Sequence, residues 1–255
     1  MTHPAGKFLF LMPVPMSPEA LSSFAAQLPV GIRRENITID FSSPDSGASL
    51  LDTPYDSVIA EATVMKAGLN AEEAGYDLIC AYSMSDSGVK GLRSRLNIPV
   101  IGAGEATFHL AAQLGKKFSV ITMWEPWYQH SHDLADKTGL QSRLASVRHI
   151  NVRPDTQELL KGKEDIVFGK LEEAANQAIA EDGADVIVLG STTMNDSHAY
   201  LESVLDCPVV NPGQAAYKTC EIIFDLKLTH SKTAHPTPPV LNDAVFGTPP
   251  SLKGA

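Results

Sequence analysis

Two stretches of the chain, GYDLICAYSMSD at residues 75–86 and GADVIVLGSTTM at residues 183–194, share a pattern that decides the fold. Glycine, aspartate, isoleucine and serine recur at an offset of 108 residues, which pairs Ser83 with Ser191. Each stretch is a short apolar run that ends in hydroxyl-bearing residues, as is typical of a buried strand followed by a turn. The repeat predicts that one α/β unit occurs twice in the chain.

Two further blocks extend the repeat in the same order. IPVIGAGEA at 98–106 matches CPVVNPGQA at 207–215 with an offset of 109, and KFLFLM at 7–12 matches KFSVIT at 117–122 with an offset of 110. Unrelated α/β units also look alike, because buried parallel strands are all rich in valine and isoleucine. Three blocks in one order nevertheless favour an internal repeat.

The alternation of apolar runs with helical stretches predicts an α/β fold. The clearest helix is 164–181, in which Val167, Leu171, Ala174, Ala175 and Ala178 share one face. We expect two Rossmann-like α/β/α halves with parallel sheets, related by a pseudo-twofold axis, with a ligand cleft between them. The predicted strands are 8–12, 37–41, 78–82, 100–103, 118–123, 144–150, 186–190 and 209–210.

The repeat also predicts how the chain is divided. Residues 1–115 together with 213–230 are expected to form the first half, and residues 116–212 the second. The last 24 residues, from Lys232, contain five prolines. We therefore expect 231–255 to be an extended tail, either disordered or docked on a neighbour.

Composition limits the classes of partner. The formal net charge of −10 argues against nucleic acids and anionic membrane surfaces. The chain has no run of about 18 apolar residues, so we expect no membrane-spanning helix. Residues 1–7 lack the charged-then-apolar order of a secretory signal. Three widely spaced cysteines, Cys80, Cys207 and Cys220, indicate reduced thiols. We expect a cytoplasmic protein, and a homo-oligomer.

Ligands of open parallel sheets bind beyond the carboxyl ends of the strands. The turns at those ends are 12–16, 83–88 and 102–105 in the first half, and 122–127, 191–195 and 211–214 in the second. Facing halves would place Ser83 and Ser191 on opposite sides of one pocket. Ser85, Thr192 and Thr193 add hydroxyls that, with free helix N–H groups, bind carboxylate, carbonyl or enolate oxygens. Each hydroxyl taken alone is equally well explained as a helix cap.

The segments AYSMSDSG at 81–88, IPVIGAGEA at 98–106, FSVIT at 118–122 and VLGSTTM at 188–194 resemble the hydantoin and allantoin racemase group of the aspartate/glutamate racemase superfamily. The match spans about residues 7–225. The resemblance implies two α/β halves and racemisation without metal or organic cofactor, in which two cysteines act on opposite faces of the substrate's α-carbon. Maleate isomerases and arylmalonate decarboxylases belong to the same superfamily.

The sequence departs from this pattern at its centre, because Ser83 and Ser191 occupy the two cysteine positions. An alcohol is a far weaker acid than a thiol and needs a base before it can act. Cys80 lies inside a predicted strand and is expected in the core. The turn MPVP at 12–15 also differs from the group's usual asparagine-containing turn. Either the serines were introduced to inactivate an enzyme, or this is a natural branch with different chemistry.

We predict that Ser83 and Ser191 are catalytic and that the substrate is a small carboxylate or cyclic amide. The reaction would pass through an enolate-like or covalent intermediate, with isomerase ranked first. Lyase or decarboxylase, hydrolase and non-catalytic binding remain alternatives, and no metal or organic cofactor is expected. The predicted substrate-binding residues are Pro13, Tyr55, Ser85, Asp86, Thr122, Trp124, Thr192 and Thr193.

Three further features carry weaker signals. A hydrolase would need a base such as His198, which is expected to be solvent-exposed in the first turn of a helix. Asp86 also fits a helix cap or turn residue. The pair His130 and His132 lacks a third metal ligand, so a solvated helix is the better interpretation.

Overall fold

The computed structural model describes residues 4–153, 164–248 and 252, without the side chains of 164–166. It contains each of the eight predicted strands, in two four-stranded parallel sheets. The strand orders, β2-β1-β3-β4 and β6-β5-β7-β8, are the same in the two halves, so the predicted α/β fold with an internal repeat is confirmed. The strands are β1 Gly6–Leu11, β2 Ile37–Ser42, β3 Leu78–Ala81, β4 Val100–Gly102, β5 Phe118–Thr122, β6 Leu144–His149, β7 Val186–Leu189 and β8 Val209–Val210.

A helix follows each strand. Two of them begin after an N-cap residue with a hydroxyl. Ser17 and Thr53 each accept a backbone N–H and precede a proline at the first helical position. In α6 the predicted apolar face is buried at Leu171, Ala175 and Ala178. The helices are α1 Pro18–Ala26, α2 Pro54–Gly68, α3 Val89–Arg95, α4 Ala103–Leu114, α5 Tyr128–Thr138, α6 Glu164–Asp182, α7 Asn195–Val204 and α8 Pro212–Asp225.

The last helix of each half packs on the other half. Phe108 and Ala111 of α4 lie in one apolar cluster with Phe118 and Val120 of β5. In the other direction, α8 contributes Ala216, Tyr217 and Cys220 to the cluster around Phe8 and Phe10 of β1. Helix α8 therefore packs on the first sheet. Helix α4 lies within the range predicted for the first half, yet it packs on the second sheet.

The tail lies along its own first half. The Lys232 ammonium donates to the Arg93 and Ser94 carbonyls at 3.0 and 3.1 Å, at the end of α3. Arg95 pairs with Asp243 at 2.7 Å, and Leu252 is buried in the core. The described tail therefore docks on this chain rather than extending away from it. Residues 249–251 and 253–255 of the predicted tail lie outside the described residues.

Two further expectations concern the state of the cysteines and membrane-spanning helices. All three cysteines are free, and Cys80 is fully buried as predicted. Burial raises the pKa of the Cys80 thiol well above its usual value, and its neighbour Cys220 raises it further, which favours the protonated thiol. Within the described ranges, no helix is both long and apolar enough to span a bilayer.

Candidate functional site

A cavity of about 290 Å³ lies between the two sheets, at the carboxyl ends of β1, β3, β5 and β7. Ser83 and Ser191 both line it, so the structure brings the mirrored serines to one site. Most of the remaining wall is apolar. The principal apolar side chains are Met12, Val14, Met16, Phe24, Leu50, Leu51, Met123, Trp127, Val152, Val167, Phe168 and Met194.

In the first half, the turn after β3 carries a chain of three hydroxyls. The Ser83 and Ser85 Oγ atoms are 3.0 Å apart, and the Ser85 and Ser87 Oγ atoms are 2.9 Å apart. The backbone N–H of Ser85 donates to Ser83 Oγ at 3.3 Å. The turn thus holds the Ser83 hydroxyl in a fixed place at the cavity.

The turn after β7 reproduces this geometry. Ser191 Oγ is 2.9 Å from Thr193 Oγ1 and accepts the Thr193 backbone N–H at 3.3 Å. The Thr192 hydroxyl donates across the interface to the carbonyl of Tyr82, at 3.2 Å. Both turns therefore present a serine hydroxyl bound by the second following residue, and the second turn is tied directly to the first half.

The partners of the two serines limit their chemistry. Within the described parts of the chain, neither Ser83 nor Ser191 is hydrogen bonded to a histidine or a carboxylate. His198 was expected to be exposed, but it is buried. Its Nε2 bonds the Val209 carbonyl at 3.1 Å, and its Nδ1 faces Glu202 at 3.4 Å. A hydrolase site activated by His198 is therefore not assembled.

Asp86 differs from its predicted role in substrate binding. Its side chain is buried and does not line the cavity. Its two oxygens accept the backbone N–H groups of Gly104 and Glu105, at 2.7 and 2.8 Å, at the start of α4. Burial raises the pKa of Asp86 to about 7, while these two N–H bonds act in the opposite direction. Its alternative interpretation as a cap agrees with this geometry.

The other predicted binding residues divide into two groups. Pro13, Ser85, Thr122, Thr192 and Thr193 line the cavity. Trp124 and Tyr55 do not, contrary to prediction.

The reason differs for these two. Trp124 packs against the core of the second half, and its neighbour Trp127 lines the cavity in its place. Tyr55 is 75% exposed, because it lies in the first turn of α2 with its ring in solvent.

The loop before α2 supplies cavity residues that the sequence did not indicate. Leu51 lines the cavity, and its carbonyl is 2.7 Å from Nε2 of His130 on α5. Asp52 lies 3.8 Å from Arg153, so a second contact joins the halves here. His130 is thus part of the site, whereas the sequence favours a solvated helix here. These residues are far apart in sequence and match no motif.

Over residues 4–153, 164–248 and 252, no group of three or more His, Cys, Asp or Glu side chains is placed to hold a metal ion. His132 instead packs against the ring of Tyr128, with centroids 4.5 Å apart.

Comparison with known proteins places this geometry in a family. The profile of the family described as Asp/Glu/Hydantoin racemase matches residues 16–220. A hydantoin racemase of Pseudomonas sp. (strain NS671) is 30% identical over 192 residues, which cover 74% of this chain and 75% of that protein. A hydantoin racemase of Paenarthrobacter aurescens is 26% identical over 219 residues, covering 86% and 92% of the two chains.

A solved structure agrees with the sequence relatives. The allantoin racemase from Klebsiella pneumoniae superposes with a TM-score of 0.84 and 25% identity, covering 93% of this chain and 95% of that one. The fold of this chain is thus that of the allantoin racemase. The chain belongs to the Asp/Glu/Hydantoin racemase family.

Proposed function

We propose that this protein is a cofactor-independent isomerase that acts on a small cyclic amide or carboxylate, with Ser83 and Ser191 on opposite faces of the reacting carbon. The observation that carries the proposal is the pair of mirrored hydroxyl turns at one cavity. Relatives named hydantoin racemase and allantoin racemase support a cyclic amide as the first ligand to test.

The arrangement suits stabilisation of an enolate-like intermediate. Removing a proton from a carbon beside a carbonyl places negative charge on the carbonyl oxygen. Hydroxyls on both turns, at Ser85 and Thr193, line the same cavity, whereas the Thr192 hydroxyl donates to the Tyr82 carbonyl. Fixed donors in a site with mostly apolar walls stabilise such an oxygen strongly. The hydroxyls would thus acidify the substrate, and the serine that takes the α-proton would act as its alkoxide, after releasing its own proton to water.

Exchange of the α-proton for deuterium tests the proposal. The protein, treated with a chelator and without added cofactor, is incubated in D2O with single enantiomers of substituted hydantoins, allantoin and α-substituted dicarboxylates. We expect deuterium incorporation and loss of optical activity for at least one cyclic amide. Turnover that is lost on chelation and restored by one specific metal would contradict cofactor independence.

A second candidate is a binding protein that has kept the pocket without the chemistry. It is favoured by the lack of a histidine or carboxylate at either serine in the described residues. The two candidates separate cleanly in one experiment. A compound that raises the melting temperature, and so binds the native state, but exchanges no proton would favour the binding protein.

A further inference from the structure

The helices that follow the last strand of each sheet, α4 and α8, begin at equivalent positions but are capped in different ways. At α8, Asn211 is the N-cap, and its own Oδ1 accepts the N–H groups of Gly213 and Gln214, at 2.9 and 3.2 Å. Gly102 occupies the equivalent position before α4 and has no side chain to offer. In α4 the N–H groups of Gly104 and Glu105 occupy the positions of those that Asn211 caps in α8. Both donate to the carboxylate of Asp86 instead.

Asp86 fills the space that a side chain at position 102 would need. A Cβ atom built on Gly102 would lie 2.5 Å from Cγ of Asp86, closer than any real contact. Asp86 itself has a φ of 51°, in the left-handed region that non-glycine residues adopt rarely. Asp86 thus caps α4 from the turn after β3, in a backbone conformation that costs free energy. An asparagine at position 102 would cap the helix without that cost.

Asp86 differs from Asn211 because it joins two separate parts of the chain. Asp86 lies three residues after Ser83, and its N–H donates to the Ser83 carbonyl at 3.2 Å. Its carboxylate therefore ties the turn that carries Ser83 to the first residues of α4. Because α4 packs on the second sheet, this tie joins the Ser83 turn to the half that carries Ser191. An asparagine at 102 would cap α4 without making that connection.

We propose that Asp86 is a positioning residue for Ser83, which holds the hydroxyl of the first turn at a set distance from the second half. The inference rests on the proposed function of Ser83 and adds a residue that does not itself touch the substrate.

The chain offers a variant pair that separates positioning from capping. Asp86→Gly removes the carboxylate and suits the positive φ, since glycine adopts this region freely. Asp86→Gly with Gly102→Asn then moves the Asn211 arrangement into the first half, because Gly102 already has φ −89° and ψ 128°, close to the −88° and 117° of Asn211. The double variant restores the cap of α4 but not the tie to Ser83.

We expect the single variant to melt about 2–4 °C or more below wild type, and the double variant to recover most of that loss. Turnover should behave differently. In both variants kcat should fall about tenfold to a hundredfold with a smaller change in KM, because a small misplacement of a reacting group is enough for such a loss. A double variant that regains wild-type kcat, or a single variant that never lost it, would overturn the proposal.

A second measurement is independent of turnover and of the proposed function. Hydrogen–deuterium exchange over residues 83–89 should speed up in both variants, whereas exchange at the start of α4 should return to the wild-type rate in the double variant. Wild-type protection of 83–89 in the double variant would reject the tie even if no substrate is ever found. Absence of turnover in the wild type would count against the proposed function alone.

Asp185→Asn is the matched control. The Asp185 carboxylate also accepts two backbone N–H groups, those of Lys116 and Lys117, at 2.8 and 2.9 Å. It lies at the opposite ends of the strands and does not line the cavity. Asp185→Asn should lower the melting temperature without changing kcat or exchange over 83–89. A fall in kcat as large as that of Asp86→Gly would show that losing any carboxylate bound to two backbone N–H groups has this effect. That result would overturn the proposal.

Discussion

The turn at Ser83 and the turn at Ser191 have the same backbone plan but different surroundings. Each serine accepts the N–H of the second following residue at 3.3 Å. The residue before the serine is Tyr82 in one half and Gly190 in the other. On the neighbouring strand, Met12 directly follows β1 in the first half and Thr122 ends β5 in the second, and both line the cavity. The repeat thus preserves the backbone and the serines but makes the two sides of the cavity unlike.

This contrast has a physical explanation. Strand order and turn geometry depend on the positions of apolar and small residues, which both halves must keep in order to fold. Side chains that face the cavity carry no such requirement and are free to differ. A substrate whose two faces are themselves different needs unlike walls. The predictions below test whether the two halves differ in function as they differ in structure.

The largest effect is expected on turnover. Ser83→Ala and Ser191→Ala should each lower kcat/KM by about a hundredfold, and deuterium incorporation should be lost mainly from one enantiomer in one variant and from the other enantiomer in the other. Ser119→Ala is the control, since that buried serine bonds Ser146 at 2.8 Å and does not line the cavity. Equal losses for both enantiomers in both variants would remove the functional asymmetry.

The next largest effect is expected on stability, at Gly190, the residue before Ser191. Gly190→Ala would place its Cβ 2.7 Å from Cβ and 2.8 Å from Cα of Thr122. Because backbone must then shift, we expect a loss of about 1–3 kcal/mol in the free energy of unfolding, measured with urea. Gly169→Ala is the control, because among the described residues nothing outside its own helix backbone and chain neighbours lies within 4 Å of the added methyl. A Gly190→Ala protein as stable as wild type would show that this close approach is not required.

A smaller effect should appear at acidic pH on the outer edge of β4, which the tail covers. The Val100 N–H donates to Nε2 of His230 at 2.8 Å, so the imidazole must be neutral. Burial lowers the pKa of His230 to about 4. Since the unfolded chain takes up the proton near pH 6.5, stability should decline as pH falls from about 6.5 to about 4. We expect a loss of order 1 kcal/mol, reduced by partial exposure.

Urea unfolding between pH 7 and pH 4 measures this loss for wild type and His230→Gln. Glutamine keeps an acceptor for Val100 but cannot titrate, so this part of the pH dependence should disappear. His235→Gln, which leaves the Val100 bond in place, should keep the wild-type profile. An unchanged profile in His230→Gln would contradict the assignment.

The smallest effect concerns two fully buried tyrosines in the same cluster. The Tyr82 hydroxyl is buried with no hydrogen-bond partner among the described residues, whereas the Tyr217 hydroxyl accepts the Arg34 N–H at 2.8 Å. Tyr82→Phe should leave the free energy of unfolding unchanged or slightly raised, and Tyr217→Phe should lower it by about 1 kcal/mol. Equal losses in urea unfolding would mean that Tyr82 has a partner of its own in solution.

The sequence by itself determined the repeat, the class of fold and the serines at one cavity. Buried parallel strands must be apolar on both faces, so the eight strands could be predicted from short runs of apolar residues. Their carboxyl ends must meet at one edge, so turns such as those at Ser83 and Ser191 could be assigned to the site. These properties follow from local composition and from the spacing of the repeat.

Only the tertiary structure decided how the halves are joined and which side chains reach the cavity. Asp86 caps a helix 18 residues away, and His130 meets a carbonyl 79 residues away. His198 is buried and Tyr55 exposed, contrary to what their positions in the chain indicated. Such contacts depend on the packing of α4 and α8 on opposite sheets, and residues brought together by packing need share no pattern in the sequence.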